Sequence, residues 1–438
     1  MHDALSARDM LSDELTQRRQ TGHDAEGIAA RAEAADPGDS IRQWELVDEL
    51  AHAERTGEWP YVEPDRLEDI LATLPPAGDP ATIAEAVYRD KVHGAWLGRC
   101  AGCNLGKPVE NGDHWTSRHI RDYLESTGAY PLSDYFPVAD PMPAGFEFRP
   151  NWPHTTRGNI HGSARDDDID YPIVNLHVLE TYGPSYRASD VGHEWLMLLP
   201  FLQTYTAERV AIRNLIHGLA PPETASYRNP YREWIGAQIR ADIFGWVNPG
   251  NPRRAALLAY EDAALSHVGN GIYGEMWSAA LNAAAFTSGT PRAAVEESLK
   301  HIPPRSRLAE ALRSVLTWHA DGRTWEEAQA SIERDYGHYH WVHTINNAAA
   351  VAAGILWADG DYTRAIGLTV QAGMDTDSNG ATAGSVGGVL SGAAALPGHW
   401  VEPLADSVRS AVFGFDNSQI SDLADRTIGL RSSLYASD

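Results

Sequence analysis

Two glycine-rich stretches decide the fold of this chain: GAWLGRCAGCNLG at residues 94–106 and GATAGSVGGVLSG at residues 380–392. Each carries a glycine at every fourth position, which places these glycines on one face of a helix. Because a glycine inside a helix costs about 1 kcal/mol relative to alanine, such a row needs a packing reason. Close approach of helix backbones supplies that reason. We therefore predict two central helices. A phosphate-binding loop is disfavoured, since no Gly-Lys-Ser/Thr ending follows.

Helix signals continue on both sides of the two stretches. Thr290 precedes a proline at a helix start, and Thr324 forms a capping box with Glu327 at the start of another helix. Residues 346–357 are rich in alanine, with apolar residues at helical spacing. Alternating strand patterns are scarce, and residues 128–165, dense in proline, glycine and aromatic residues, are typical of a long loop. The sequence therefore predicts an all-α domain of many helices.

The sequence marks one domain boundary. A charged segment with helical patterns covers residues 1–80, and the stretch LPPAGDP at residues 74–80 interrupts it. Asp79 suits an N-cap, with Pro80 at the first position of the next helix. We predict a charged helical N-terminal extension over residues 1–80, followed by the main all-α domain over residues 81–438. The extension is interpreted as a cap packed on the main domain, and a separate interaction arm is the alternative.

The composition limits the partners of the chain. Of its 438 residues, 43% are hydrophobic and 22% are charged, which is an ordinary globular balance. Its net charge of −25 makes nucleic acid and membrane surfaces poor partners. Neither a signal peptide nor a membrane span of about 20 apolar residues is present, which predicts a cytoplasmic protein. Cys100 and Cys103 lack the second pair that a four-thiolate zinc site needs, so we interpret them as small buried residues. The oligomeric state stays open.

Acidic residues lie at one end of each glycine stretch and in one further segment. Glu110 follows the first stretch, Asp375 and Asp377 precede the second, and the triplet Asp166–Asp168 precedes an apolar helical segment. Carboxylates favour helix N-termini, so each cluster is explained by capping alone, and three caps need not meet. If they do meet, two unit charges about 4 Å apart repel by about 4 kcal/mol at an effective dielectric near 20. Hard divalent cations such as Mg²⁺, Mn²⁺ or Ca²⁺ would relieve that repulsion.

An EF-hand is the other calcium-binding structure to weigh. Asp375, Asp377, Asn379 and the glycine after them fit the first half of that loop. The twelfth position is Val386, where an EF-hand needs a bidentate glutamate. A helix pattern also begins where the loop should continue. The EF-hand interpretation is therefore disfavoured.

On these motifs the chain resembles the ADP-ribosylglycohydrolase family over about residues 90–392. Residues 98–110 are similar to the first helix of the family with its trailing glutamate. The triplet at 166–168 is similar to its Thr-Asp-Asp, and residues 373–378 are similar to its Gly-x-Asp-Thr-Asp-Thr. The resemblance implies a single large multi-helix orthogonal bundle with two divalent cations. These are usually Mg²⁺ or Mn²⁺, and Ca²⁺ is a further occupant that such a site accepts in a crystal.

The resemblance also implies roles for individual residues. It implies metal ligands at Asp167, Asp168, Asp375, Asp377 and Ser378. It implies catalytic roles, through proton transfer or support of the ligands, at Glu110, Asp166 and Asp167. It implies substrate-binding positions at Gly373, His267 and Asn270. Three departures from the family pattern stand out. Asp166 takes the place of a threonine, so the register of the triplet can slip by one. Ser378 replaces a threonine but keeps a hydroxyl, and Cys103 stands where an aspartate is common.

The function that the resemblance implies is hydrolysis of the glycosidic bond at ribose C1 of an ADP-ribosyl or related N-ribosyl compound. Such a reaction passes through an oxocarbenium-like state, so the site must hold the sugar, place water and assist the leaving group. Two alternatives stay open. The substrate can be a small free N-riboside or an NAD-derived metabolite instead of an ADP-ribosylated protein, which the acidic surface and the loop at residues 128–165 favour somewhat. The chain can also be a non-catalytic ADP-ribose-binding protein.

Overall fold

The computed structural model describes residues 5–57 and 59–434, and within them the regular structure is helical. Isolated β-bridges join a few loop residues, but no described residue belongs to a strand. This confirms the predicted all-α bundle. None of the described helices is long and apolar enough to cross a membrane. The helices are α1 Ala7–Gln20, α2 Glu26–Ala34, α3 Ser40–Leu50, α4 Leu67–Thr73, α5 Glu85–Gly106, α6 Ser117–Ser126, α7 Asp167–Tyr182, α8 Ala188–Leu198, α9 Thr206–Ile216, α10 Glu223–Ser226, α11 Asp242–Trp246, α12 Pro252–Ala263, α13 Asn270–Ala285, α14 Pro291–Ser298, α15 Arg307–Ala320, α16 Trp325–Tyr336, α17 Thr344–Ala358, α18 Tyr362–Gln371, α19 Thr376–Ser391, α20 Gly398–Val401 and α21 Ile420–Leu434.

The two glycine stretches form α5 and α19, which pack against each other backbone to backbone. A Cβ atom added at Gly98 would overlap the carbonyl of Gly384, and one added at Gly102 would overlap the carbonyl of Gly380. Glycine is therefore required on both sides of this contact, as the four-residue spacing predicts. The helices run antiparallel, so the end of α5 meets the start of α19. There, Thr376 Oγ1 donates to the carbonyl of the last α5 glycine at 2.8 Å.

The start of α7 is fastened to the same region. Arg99 Nε, on α5, donates to the backbone carbonyl of Asp168 at 2.8 Å. Asp166 is the N-cap, and its Oδ1 accepts from the Asp168 amide at 2.9 Å. Three helix ends that are distant in sequence therefore meet at one place.

Two loop predictions have different outcomes. Residues 128–165 contain no α-helix and only one short 3₁₀ turn, which confirms the predicted long loop. The predicted helix start at Asp79 and Pro80 is wrong, because α5 begins at Glu85. The Ala81 amide instead donates to the Gly250 carbonyl at 2.9 Å, so this segment lies against the main body before the chain turns into the helix.

The described part of the N-terminal extension is helical and has a small apolar cluster of its own. Leu11, Leu15 and Leu46 belong to this cluster, which joins α1 to α3. Met10 is fully buried on another face of α1, among main-body residues that include Trp234. The extension therefore packs on the body, while the boundary at residue 80 stays a prediction.

A buried ion pair joins α1 to the main body. Arg232 donates to both carboxylate oxygens of Glu14, at 2.6 and 3.0 Å, and both side chains are buried. One turn further along α1, Gln17 Nε2 donates to Glu233 Oε2 at 2.7 Å. Removing one partner of such a pair leaves the other charge buried and uncompensated, which is strongly destabilising.

We expect Glu14→Ala to lower the free energy of unfolding by about 3 to 5 kcal/mol, because Arg232 then lacks its carboxylate. Urea unfolding followed by circular dichroism measures this change. Glu49→Ala is the matched control, since Glu49 pairs with Arg31 at 2.7 Å on the surface and its removal should leave stability nearly unchanged. Equal losses in the two variants would contradict a structural role for the buried pair.

Candidate metal and active site

The structure brings the three predicted acidic segments together in two groups. The outer group consists of Glu110, Asp375 and Asp377, each of which offers a carboxylate oxygen within 4.8 Å of the others. The inner group consists of Cys103, Asp166 and Asp168, whose ligand atoms lie within the same distance of one another. The outer group includes the partly exposed Glu110, whereas all three residues of the inner group are buried.

Ser378 connects the two groups. Its Oγ donates to Asp168 Oδ2 at 3.2 Å, and its amide donates to Asp377 Oδ1 at 3.0 Å. The predicted ligand Asp167 belongs to neither group. Its side chain is partly buried, and its pKa is raised, first by burial; Arg165 opposes this shift and Asp377 adds to it. The structure therefore places Asp167 beside the two groups.

The turn before α19 positions the aspartates of the outer group. Gly373 has φ +74, and Met374 also has a positive φ, of +63. A Cβ atom at Gly373 would lie 2.9 Å from the Ser117 amide nitrogen, so the close approach requires glycine as well as the left-handed conformation. The Asp375 amide then donates to Asn347 Oδ1 at 3.2 Å. Gly373 thus acts through the backbone here, and its predicted contact with substrate stays a prediction.

Burial and mutual repulsion make this cluster costly without a counter-ion. The pKa values of Glu110, Asp168 and Asp375 are raised well above the ordinary carboxyl range, first by burial and then by the negative charge of Asp377. Asp168 Oδ1 is buried and has no hydrogen-bond partner. Buried polar atoms are normally satisfied, so this oxygen fits a ligand position. The oxygen-rich donor set suits a hard divalent cation such as Mg²⁺ or Mn²⁺.

The rim of the site is formed by residues that solvent reaches. Arg149 Nη1 contacts Glu110 Oε1 at 2.7 Å and donates to the Glu110 backbone carbonyl at 2.7 Å. The Glu110 side chain is 19% exposed and that of Arg149 is 34% exposed, against 2% for Asp168. Solvent therefore reaches the site from the Glu110 side, and the inner group is the more buried of the two.

The structure places two predicted pocket residues among other buried polar groups. His267 lies beside Ser266, with Oγ and Nδ1 2.8 Å apart, and its Nε2 is 3.9 Å from Glu208. Asn270 Nδ2 donates to Glu233 Oε1 at 2.9 Å, and its Oδ1 accepts from a backbone amide of α15. Neither His267 nor Asn270 belongs to the outer or the inner group. The substrate-binding roles of His267 and Asn270 stay predictions.

Sequence reasoning missed two groups at the site, Lys107, which pairs with Asp166, and Arg149, which contacts Glu110. Asn347 also lies at the site, where it accepts from the Asp375 amide. Sequence reasoning also treated Cys103 as packing, whereas its sulfur lies within the inner group. The sequence held one signal for a shared position of Cys103 and Lys107: they are four residues apart, which places both on the same side of the helix end. The other two contacts depend on the tertiary fold.

Added Mg²⁺ should raise the melting temperature of the EDTA-treated protein more at about pH 8 than at about pH 5. The raised pKa values of Glu110, Asp168 and Asp375 mean that the native state holds protons that the unfolded chain releases. The stabilisation that these bound protons give to the native state is complete below the ordinary carboxyl pKa, and it is lost as the pH rises through the raised pKa values. A cation replaces those protons. Thermal unfolding with Na⁺ at matched ionic strength is the control, and equal Mg²⁺ effects at both pH values would contradict the assignment.

This chain resembles known proteins in its sequence and in its structure. A family model described as ADP-ribosylglycohydrolase matches residues 84–436. A solved structure described as an ADP-ribosylglycohydrolase-related protein complex is similar to this chain at 17% sequence identity, with a TM-score of 0.47. That alignment covers 79% of this chain and 98% of the other. The search of curated proteins found no match. The range matched by the family model contains every residue of the outer and inner groups.

Proposed function

The chain belongs to the ADP-ribosylglycohydrolase family, and from that premise we propose that it hydrolyses the glycosidic bond at ribose C1 of an ADP-ribosyl or related N-ribosyl compound. We propose that Mg²⁺ or Mn²⁺ ions held by the two acidic groups are required. The observation that carries the proposal is the convergence of carboxylates from α7, α19 and the end of α5. Capping alone does not explain it, since Glu110 is the C-cap of the 3₁₀ turn Lys107–Val109, the end of a helix at which the dipole disfavours a carboxylate.

The residues that would hold the cations are set by the donor atoms of the two groups. Asp375 and Asp377 belong to the outer group, Asp168 belongs to the inner group, and the Ser378 hydroxyl lies between them. When bound, the cations would supply positive charge that orients ribose hydroxyls and polarises a water molecule. The side chains around them keep these ligands in place. Asn347 orients the Asp375 backbone, and Asp166 fixes the first turn of α7.

Glu110 is the residue that we assign to proton transfer. It is the partly exposed member of the outer group, so it can reach both a substrate and a water molecule. Burial and the charge of Asp377 raise its pKa, which favours the protonated form that can give a proton to a leaving group. Arg149 fixes its orientation through Oε1 and the backbone carbonyl. We assign Asp166 a positioning role, because its two carboxylate oxygens are engaged by the Asp168 amide and by Lys107.

The test is hydrolysis of a substrate panel with Mg²⁺ or Mn²⁺, with and without EDTA. The panel contains an ADP-ribosylated protein, free ADP-ribosyl compounds, NAD and simple N-ribosides, and chromatography detects the released ribosyl product. We expect cation-dependent turnover of at least one member and its loss with EDTA. Turnover of the simple ribosides alone would narrow the function to small metabolites. Tight ADP-ribose binding without turnover of any compound would contradict the proposal and favour a binding protein.

A further inference from the structure

The Lys107 side chain places a positive charge inside the candidate metal site. Its ammonium group forms an ion pair with Asp166 Oδ2, and only 8% of its side chain is exposed. It follows directly after α5, one residue beyond the glycine that contacts the start of α19. An ammonium buried in this way needs a compensating charge, and the inner group supplies it.

The charges facing the two groups are unequal. In the inner group, Lys107 pairs with Asp166. Arg99 Nη2 lies 3.6 Å from Asp168 Oδ1, but the closer ion pair of Arg99 is with the buried Asp242. Burial raises the pKa of the third member, Cys103, well above its usual value, so it is an uncharged thiol. Lys107 therefore compensates one of the two carboxylates of the inner group before any divalent ion arrives.

The outer group keeps an excess of negative charge. Glu110, Asp375 and Asp377 lie within 4.8 Å of one another. Arg149 contacts Glu110 at 2.7 Å, and the charge of Lys107 also acts on Asp377 and Glu110 without an ion-pair contact. Since attraction to a divalent ion grows with the net charge of the site, the outer group attracts the ion more strongly.

The inner group still offers an oxygen to a cation. Asp168 Oδ1 is buried without a hydrogen-bond partner, and Ser378 presents its hydroxyl beside the other oxygen of the same carboxylate. Lys107 is a point charge on a flexible four-carbon stem, so it can leave Asp166 without disturbing the helix. A divalent ion that enters the inner group has to displace it.

We propose that Lys107 is a tethered competitor of the second divalent ion, so that the outer group fills first and the inner group fills only when the ion displaces the ammonium from Asp166. The inference rests on the proposed function, since it concerns the cations of the same site. It makes occupancy of the complete site depend on the concentration of free cation, which is a form of regulation built into the chain.

The test is a Mn²⁺ titration of the full chain, with free Mn²⁺ followed by electron paramagnetic resonance. For the wild type we expect two classes of site, one ion each, with dissociation constants that differ by about tenfold or more. Lys107→Met should tighten the weaker class by about tenfold or more and the tighter class by less, since Lys107 pairs with Asp166 but acts on Asp377 without an ion-pair contact. Lys91→Met is the matched control: Lys91 lies on α5 and donates to the Phe286 carbonyl at 2.9 Å, so this variant should bind Mn²⁺ like the wild type.

Three results would overturn the inference. Two equivalent sites in the wild type would do so without any variant, and so would a second class that Lys107→Met leaves unchanged. Lys107→Gln repeats the measurement if the methionine variant does not fold. If the wild type bound no Mn²⁺, both this inference and the cation requirement of the proposed function would be wrong. Cation-dependent hydrolysis with two equivalent sites would leave the proposed function intact and remove only the role of Lys107.

Discussion

Asp377→Asn is expected to lower kcat by about a thousandfold or more, because loss of several kcal/mol of transition-state stabilisation costs a factor of ten for every 1.36 kcal/mol. Asp377 lies in the outer group, and its charge acts on Glu110, Asp168 and Asp375. Asparagine keeps the size of the side chain and removes the charge that would hold a cation. The measurement is steady-state hydrolysis of whichever panel compound the wild type cleaves, at saturating Mg²⁺.

The same substitution should have the opposite effect on the stability of the cation-free protein. Removal of the Asp377 charge relieves its repulsion of the buried carboxylates, so the EDTA-treated variant should melt no lower than the wild type. This separates loss of function from loss of folding. Asp425→Asn is the matched control, since Asp425 pairs with Arg89 on the exposed surface, at 3.2 Å. If Asp377→Asn kept wild-type activity, the assignment of the outer group would be wrong.

Gly102→Ala is expected to lower the free energy of unfolding by about 3 kcal/mol or more, because the added methyl group has to push two helix backbones apart. A Cβ atom there would overlap the carbonyl of Gly380, and neither backbone can yield as a flexible side chain would. Since Glu110 follows α5 and Asp377 begins α19, separation of these helices also moves the outer group apart. We therefore expect weaker Mn²⁺ binding in the same variant. Denaturant unfolding and a Mn²⁺ titration measure the two effects.

A glycine elsewhere supplies the control for this prediction. Gly429 lies within α21, and a Cβ atom added there would meet nothing within 4 Å. Gly429→Ala should raise stability by about 0.5 to 1 kcal/mol, because alanine is the better helix former and narrows the unfolded ensemble. Opposite signs for the two substitutions would support close packing as the reason for the glycine rows. A small effect of Gly102→Ala would contradict it.

The central helices and the acidic segments could be predicted because their signals are local. A glycine at every fourth residue reports a helix–helix contact directly, and the pairs Gly98–Gly384 and Gly102–Gly380 confirm it. The acidic residues could be placed at the ends of these helices because they directly precede or closely follow the glycine stretches in the sequence. The antiparallel packing of α5 and α19 then brings Glu110 near Asp375.

The remaining features depend on contacts between distant segments. The Lys107–Asp166 pair exists because α7 packs against α5. The spacing of Cys103 and Lys107 places the two on one side of the helix end, but it does not show that Asp166 lies opposite them. Asp79 and Pro80 have the composition of a helix start, but a tertiary contact holds the residues after them outside the helix. The family resemblance implies a substrate-binding role for His267, and the structure sets this side chain beside Ser266 and Glu208.

The most direct measurement of the central claim is an anomalous difference map from crystals of the full chain soaked in Mn²⁺. The account predicts a strong peak in contact with carboxylate oxygens of Asp375 and Asp377, and a weaker one beside Asp168 that strengthens at higher Mn²⁺. Peaks confined to surface carboxylates, with none at the outer group under saturating Mn²⁺, would contradict it.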